Sequence, residues 1–443
     1  MPIFVPFLTG AKELSIDLAE PVVILRGTAA DDTKHVLQGE VSLVLTRPIS
    51  VSEVNIKFVG KSYSLWPEGL GHKSNKLYHK KTIHTQSIIL ENFNEHTKKE
   101  GVLSAGIHRW PFQFILSNAL AETIEDEMAK VFYYLTTTVH RTGKGTTKLQ
   151  ARQDVLILRL PNWSDTALTA NSLPSSSIIS DRRLEVCDAI ICIEKSYVSS
   201  GTQFPIAFTI SPNMKNTFIE SISVLLTEKR KYKLPEFNAR RIEQHDFKLS
   251  LTSFTSLLAD SELTTTQAFY AQPTLRDMRR LLNVKNAHMP LDQGAFRHRL
   301  LFTLPNCVQL NHTSTYSEIS IKHTLRIQIE LSSPTASHRN LDPHKPPQDT
   351  VYTKVHLETP ITILDCRLKE DYNTLPTYEE TLLVSSLIDD DIAESKPSGF
   401  FMCPCYLEYR KKTKCSRRDW IKIRDQFSVF NDSTPPPSYE SLQ

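Results

Sequence analysis

The chain has 443 residues, 40% hydrophobic and 23% charged, a balance that belongs to a globular protein and excludes a fibrous one. Its 52 basic and 49 acidic side chains leave a net charge of only +3. That excludes a global pull toward nucleic acid or anionic membrane and reserves such a pull for local clusters.

The length exceeds one ordinary core and predicts two domains with a tail. Met1, Pro2, Ile3, Phe4, Val5, Pro6 and Phe7 lack the basic start and apolar core of a signal peptide. No run approaches the roughly 20 apolar residues of a membrane-spanning helix. Seven scattered cysteines, without a secretion signal, predict reduced thiols in the cytosol. The glycosylation-like triplets Asn162-Trp163-Ser164 and Asn311-His312-Thr313 are then without consequence.

In chain order, Val41, Leu43 and Leu45 alternate with polar residues and stop at Pro48, and Val54, Ile56 and Phe58 do so and stop at Gly60. Gly143-Lys144-Gly145-Thr146 has part of a phosphate-loop pattern without its first glycine, and it lies between the strand-like runs 131–139 and 155–160. A hairpin turn is predicted there. Residues 166–180, rich in Ser, Thr and Ala, read as a linker. Ile206, Phe208 and Ile210 alternate, then Ile222, Val224 and Leu226; residues 252–272 read as a long polar loop, and 275–282 as a short helix.

The clearest signal is Ile319, Ile321, His323, Leu325, Ile327, Ile329 and Leu331 alternating with polar residues over thirteen positions. Period two fits a strand with one buried face and excludes a helix. His323 on the apolar side predicts a core or sheet-edge histidine rather than a ligand. Residues 332–348 carry four prolines, and Ile361 and Ile363 mark a final strand. The fold class predicted is all-β, two antiparallel sandwiches with a disordered tail. The expected domains are 1–162, a linker over 163–183, a second sandwich over 184–368 and a tail over 369–443.

The tail carries two charge blocks. Residues 370–394 hold Glu370, Asp371, Glu379, Glu380, Asp389, Asp390, Asp391 and Glu394 with no basic residue, and residues 410–424 hold eight Lys and Arg. Such blocks are usually solvated, and they can pair with one another.

Catalytic patterns are missing: there is no Gly-x-Ser-x-Gly elbow and no His-Glu-x-x-His helix. Cys403-Pro404-Cys405 with Cys415 matches no common zinc spacing, so neither metal nor cofactor is expected. Cys403 and Cys405, beside Phe400, Phe401 and the basic block, are candidates for S-acylation and a peripheral membrane contact.

Pro436-Pro437-Ser438-Tyr439 closes the sequence. Adjacent prolines are preset in polyproline II, so they lie against the aromatic groove of a WW domain at little entropic loss, and the tyrosine fills a neighbouring pocket. Leu375-Pro376-Thr377-Tyr378 is a weaker version of the same hook. Two hooks on one segment raise apparent affinity for tandem WW domains.

The order of strand motifs resembles a known family, the alpha-arrestins or arrestin-related trafficking adaptors, in its fungal type. Leu25-Arg26-Gly27, Leu37-Gln38-Gly39-Glu40-Val41 and Ile56-Lys57-Phe58-Val59-Gly60 are similar to its amino-terminal strands. Gly106-Ile107-His108-Arg109-Trp110-Pro111-Phe112-Gln113-Phe114 and Val131-Phe132-Tyr133-Tyr134-Leu135 with Arg141 follow in the same order. Residues 219–233 and 319–331 fit its second domain, and the tail agrees through its two tyrosine motifs. The family is known for binding a WW-domain HECT-type ubiquitin ligase and presenting it to membrane transporter or receptor cargo. The resemblance thus implies a non-enzymatic adaptor that promotes cargo ubiquitination, endocytosis and sorting, cytoplasmic and recruited to plasma membrane and endosomes. It also implies that Lys229, Lys231 and Lys233 are candidate ubiquitin acceptors, with a cargo-facing basic surface and a plain solvated strand end as alternatives. An arrestin-fold coat or retromer-like scaffold needing no ligase is the competing expectation.

Overall fold

The computed structural model describes residues 11–368, apart from residue 21 and the segments 67–76, 94–100, 143–147, 161–176, 258–272, 292–293 and 335–349. The first sandwich is built from β1 (Ala11–Leu18), β2 (Val22–Arg26), β3 (Lys34–Leu45), β4 (Ile49–Trp66), β5 (Leu77–Asn92), β6 (Val102–Leu103), β7 (Gly106–Ser117), β8 (Ile124–Glu125), β9 (Ala129–Arg141) and β10 (Leu149–Leu160). One layer runs β1-β3-β7 and the other β2-β10-β9-β4-β5, with β6 on β4 and β8 on β9. The period-two residues face inward: Val41 and Leu43 on β3, Phe112 and Phe114 on β7, Ile56 and Phe58 on β4, and Val131 and Leu135 on β9 share one core. The pairing of β9 with β10 is antiparallel, as a hairpin requires, while the turn at 143–146 lies outside the described residues.

One expectation is corrected here. Gly60 does not end a strand, since β4 continues to Trp66. A Cβ at Gly60 would stand 2.5 Å from the Tyr133 ring, and Tyr133 is fixed by donating its hydroxyl to Ala121 O at 2.7 Å. The glycine marks a close approach inside the strand, not a stop. Gly60→Ala is therefore expected to destabilise the protein by about 1–3 kcal/mol through overpacking, read as a lower urea midpoint; an unchanged midpoint would show that Tyr133 can give way.

The second sandwich contains β11 (Ile178–Arg183), β12 (Cys187–Ile193), β13 (Tyr197–Ser199), β14 (Gln203–Pro212), β15 (Phe218–Leu234), β16 (Ala239–Lys248), β17 (Ser250–Ser256), α1 (Leu275–Asn283), β18 (Met289–Pro290), β19 (Phe296–Thr303), β20 (Ser314–Thr315), β21 (Ile319–Pro334) and β22 (Thr350–Leu364). Its layers run β11-β12-β14-β19-β17 and β13-β22-β21-β15-β16, with β18 on β15 and β20 on β21. The predicted helix is α1. Its start is set by a capping box in which Thr274 Oγ1 accepts from Asp277 N (3.3 Å) and Asp277 accepts from Thr274 N (2.9 Å). Met278, Leu281 and Leu282 then bury one helix face in the second core.

The linker expected over 163–183 yields its last six residues to β11, an edge strand paired with β12. Only Ile178 and Ser180 on it are even half-buried, so the sequence carries little alternation there. Likewise the loop expected from 252 begins as strand, because β17 pairs with β19 through Ser256. The described cysteines Cys187, Cys192, Cys307 and Cys366 form no disulfide, and burial pushes the Cys187 thiol up to about 11.

Candidate functional site

The strands β15 and β21 are paired antiparallel from Phe218–Ser332 to Tyr232–Ile319 and are longer than the core they serve. Their far ends leave the second sandwich and enter the first: Tyr232, Leu234, Ile319 and Ile321 pack with the first domain's buried residues. On β15 the inward positions after Leu226 are Glu228, Arg230 and Tyr232, each at most 5% exposed. Two charged side chains thus occupy places where alternation calls for apolar ones.

They are matched by partners from both domains. Asp126, between β8 and β9 and 1% exposed, accepts from Arg230 Nη1 (3.1 Å), Tyr232 Oη (2.7 Å) and Asn311 Nδ2 (2.9 Å). Glu228 accepts from Arg230 Nε (2.6 Å) and from the Asn311 backbone N–H (2.8 Å), and its Oε2 lies 3.0 Å from His323 Nε2. His323 Nδ1 meets Thr313 Oγ1 at 2.9 Å, and that hydroxyl accepts from Ile363 N. Burial by itself would raise the Glu228 carboxyl, but the His323 hydrogen bond and Arg230 hold it down at about 2. The same carboxylates hold the Arg230 guanidinium far above its ordinary value despite its burial. The cluster is a buried charge network whose hydrogen bonds run from Asp126 of the first domain to Arg230, Tyr232 and Asn311 of the second.

A second contact lies at the edge, where Lys81 of β5 reaches Glu318 (2.5 Å) and Glu236 (3.1 Å) of the second domain. Between the domains a cavity of about 340 Å³ is lined by Glu122 and Arg159 on one side and Tyr197, His312 and Asp365 on the other. Arg159 is committed to its own domain, donating to Glu122 (3.1 Å) and to the carbonyls of Gly27, Asn118 and Leu120. Asp365 is bidentate with Arg367 at 2.8 and 2.7 Å. Burial would raise its carboxyl, but Arg367 and then His312 hold it well below the usual range. Among the described residues no group of His, Cys, Asp and Glu is arranged to hold a metal ion.

The opposite face of β15 presents Lys229 and Lys233 to solvent, with Lys231 half-buried between them. Lys229 lies opposite Lys322 of β21, and Lys233 opposite Arg240 of β16. Crowding by Arg240, Lys233, Lys322 and Lys229 lowers the Lys231 ammonium below its ordinary value.

The residues expected to bind WW domains (Leu375, Pro376, Tyr378, Pro436, Pro437, Tyr439) and the acylation candidates Cys403 and Cys405 lie outside the described residues. His323 is the core histidine expected, central rather than at a sheet edge, since β15 and β22 flank its strand. Asn311, once a glycosylation-like position, is 8% exposed and belongs to the cluster. Sequence reasoning missed Asp126, Glu228, Arg230 and Tyr232. The available signal was the charged interruption of the inward set Ile222, Val224, Leu226.

Two sandwiches, antiparallel except where β2 pairs with β10 and β13 with β22, meet at a buried polar cluster. Residues 27–161 match the family model of the arrestin (or S-antigen) N-terminal domain. A Schizosaccharomyces pombe protein named as an arrestin-related trafficking adapter is 24% identical over 90% of this chain and 59% of its own length. A second so named in the same organism is 22% identical over 82% of this chain and 72% of its own length. An Aspergillus clavatus protein named as a HECT-type ubiquitin ligase-interacting protein, creD, is 23% identical over 73% of this chain and 50% of its own length. The chain spans from half to about three quarters of these relatives. The match to the arrestin family model covers most of the first sandwich, residues 27–161. No described helix is long and apolar enough to cross a membrane.

Proposed function

We propose that this protein is a ubiquitin-ligase adaptor, binding a WW-domain HECT-type ligase through Pro436, Pro437 and Tyr439 and, more weakly, through Leu375, Pro376 and Tyr378. The observation that carries the reading is the coexistence of an arrestin N-terminal domain match with a Pro-Pro-Ser-Tyr motif on one chain. The name of the creD relative, a HECT-type ligase-interacting protein, supports the same partner. The adaptor supplies placement rather than bond chemistry: it raises the ligase concentration beside cargo lysines. The cargo is a membrane transporter or receptor held by the arrestin domains, then ubiquitinated, internalised and sorted, with recruitment of the adaptor from the cytoplasm to plasma membrane and endosomes. Lys229, Lys231 and Lys233, on the outward side of one strand, are candidate acceptors for ubiquitin on the adaptor itself.

Pulldown by tandem WW domains tests the reading. Tyr439→Ala is expected to lose most binding, Tyr378→Ala a smaller share, and the double variant all of it. A double variant that binds as wild type would overturn the proposal and leave a ligase-independent scaffold.

A further inference from the structure

The wall of the cavity between the two sandwiches carries an unmet hydrogen-bond acceptor. Glu122, 3% exposed, forms part of that wall. One of its oxygens, Oε2, accepts from Arg159 Nε at 3.1 Å, while the other, Oε1, is buried with no hydrogen-bond partner among the described residues. Arg159 cannot turn to serve it without loss, because Nη1 and Nη2 are held by the carbonyls of Gly27, Asn118 and Leu120. A buried carboxylate oxygen without a donor is destabilising, and few such groups persist in folded proteins.

The charges around the cavity decide which donor fits. Asp365 is balanced by Arg367, and Glu122 by Arg159, so neither pair contributes net charge. Asp31, half-buried on the same wall as Glu122, accepts from Thr28 N at 2.8 Å and has no cation beside it among the described residues. One surplus negative charge and one orphan acceptor therefore belong to the lining, and an anion is repelled. A metal ion lacks its ligand set, since no group of His, Cys, Asp and Glu among the described residues is arranged to hold one. An N–H-bearing cation fits. Tyr197, on the opposite wall, offers a ring against which a cation can lie, and Thr315 and Thr362 offer hydroxyls to a polar remainder. At about 340 Å³ the cavity is near the lower end of the range for small-molecule sites.

We infer that the interdomain cavity is a binding site for a small organic cation, an alkylammonium or alkylguanidinium, whose N–H groups meet Glu122 Oε1 and whose charge is balanced by Asp31. The walls come from both sandwiches, Glu122 and Asp31 from the first and Tyr197, Thr315 and Thr362 from the second. An occupant thus ties the two domains together, and its binding involves no ligase.

Calorimetric titration and thermal melts of the full-length protein with agmatine, which carries both cationic groups, test the site at constant ionic strength. Expected are one-to-one binding and a melting temperature raised by about 5 °C at a roughly hundredfold excess over Kd. Tetramethylammonium, a cation with no N–H, is expected to give no shift. Glu122→Gln replaces the orphan acceptor by an N–H donor while keeping an acceptor for Arg159, and should weaken agmatine about tenfold or more. Asp31→Asn, at a half-buried position, should weaken it about threefold. If Glu122→Gln fails to fold, Asp31→Asn decides alone. A wild type that does not bind agmatine would overturn the inference and leave the cavity to water. An equal shift with tetramethylammonium would overturn it too, as would unchanged affinity in the folded variants, which places the binding elsewhere. No WW domain enters the experiment, so its failure leaves the ligase reading untouched.

Discussion

Arg230→Met is expected to destabilise the protein by about 3–5 kcal/mol, the range for breaking one partner out of a buried charge network. The loss arises because Asp126 and Glu228, both nearly inaccessible, each lose a guanidinium hydrogen bond (3.1 and 2.6 Å) that nothing in Met replaces. At about 2–4 °C per kcal/mol for domains of this size, the melting temperature should fall by about 10 °C. The stability loss should appear in both domains, since Arg230 belongs to the second and Asp126 to the first. Asp126→Leu combined with Arg230→Met should cost less than the two single changes summed, with a coupling of about 1–3 kcal/mol. A melt of Arg230→Met within 1 °C of wild type would mean that the network contributes nothing to holding the domains together.

Acid should undo the same joint. The Glu228 carboxyl is held at about 2 in the folded protein against 4.5 when unperturbed. A depressed carboxyl stabilises the fold fully above its unfolded value and loses that contribution as pH falls toward its folded value. The window is therefore pH 4.5 down to about 2, and the loss from Glu228 is about 3 kcal/mol. Asp365, held down by Arg367 beside the interdomain cavity, adds loss in the same direction. Urea midpoints measured between pH 5 and 2.5 should fall steeply for wild type and less steeply for Glu228→Gln, which starts lower but has no proton to gain there. Parallel slopes for the two proteins would assign the acid sensitivity to other carboxylates.

Much of the fold was legible because a sandwich strand writes itself as period two. The run from Ile319 to Leu331 became the inner strand β21, with its odd positions buried throughout. Where the sequence misled, the cause was local. Gly60 reads as punctuation because glycine usually ends or turns a strand, whereas here it makes room for Tyr133, a ring brought in from a strand some seventy residues away. β11 was hidden because an exposed edge strand has no core face to impose alternation.

The candidate site divides differently. The motifs proposed to bind WW domains were readable because polyproline recognition needs only contiguous residues. The joint was not, because Asp126, Glu228, Arg230, Asn311 and His323 come from positions up to 197 apart in numbering and meet only after two sandwiches have formed. In the sequence, Glu228 and Arg230 look like members of a solvated run that continues with Lys231 and Lys233. Tertiary structure splits that run by strand parity. Even-numbered positions turn inward and lock the domains, and odd-numbered ones turn outward into a cationic face. The sequence by itself determined the sandwich class and supplied the two linear motifs proposed as hooks, since each depends on neighbours along the chain. Only the tertiary structure decided which charges are buried and which turn outward, because that depends on what another domain or strand places within about 3 Å.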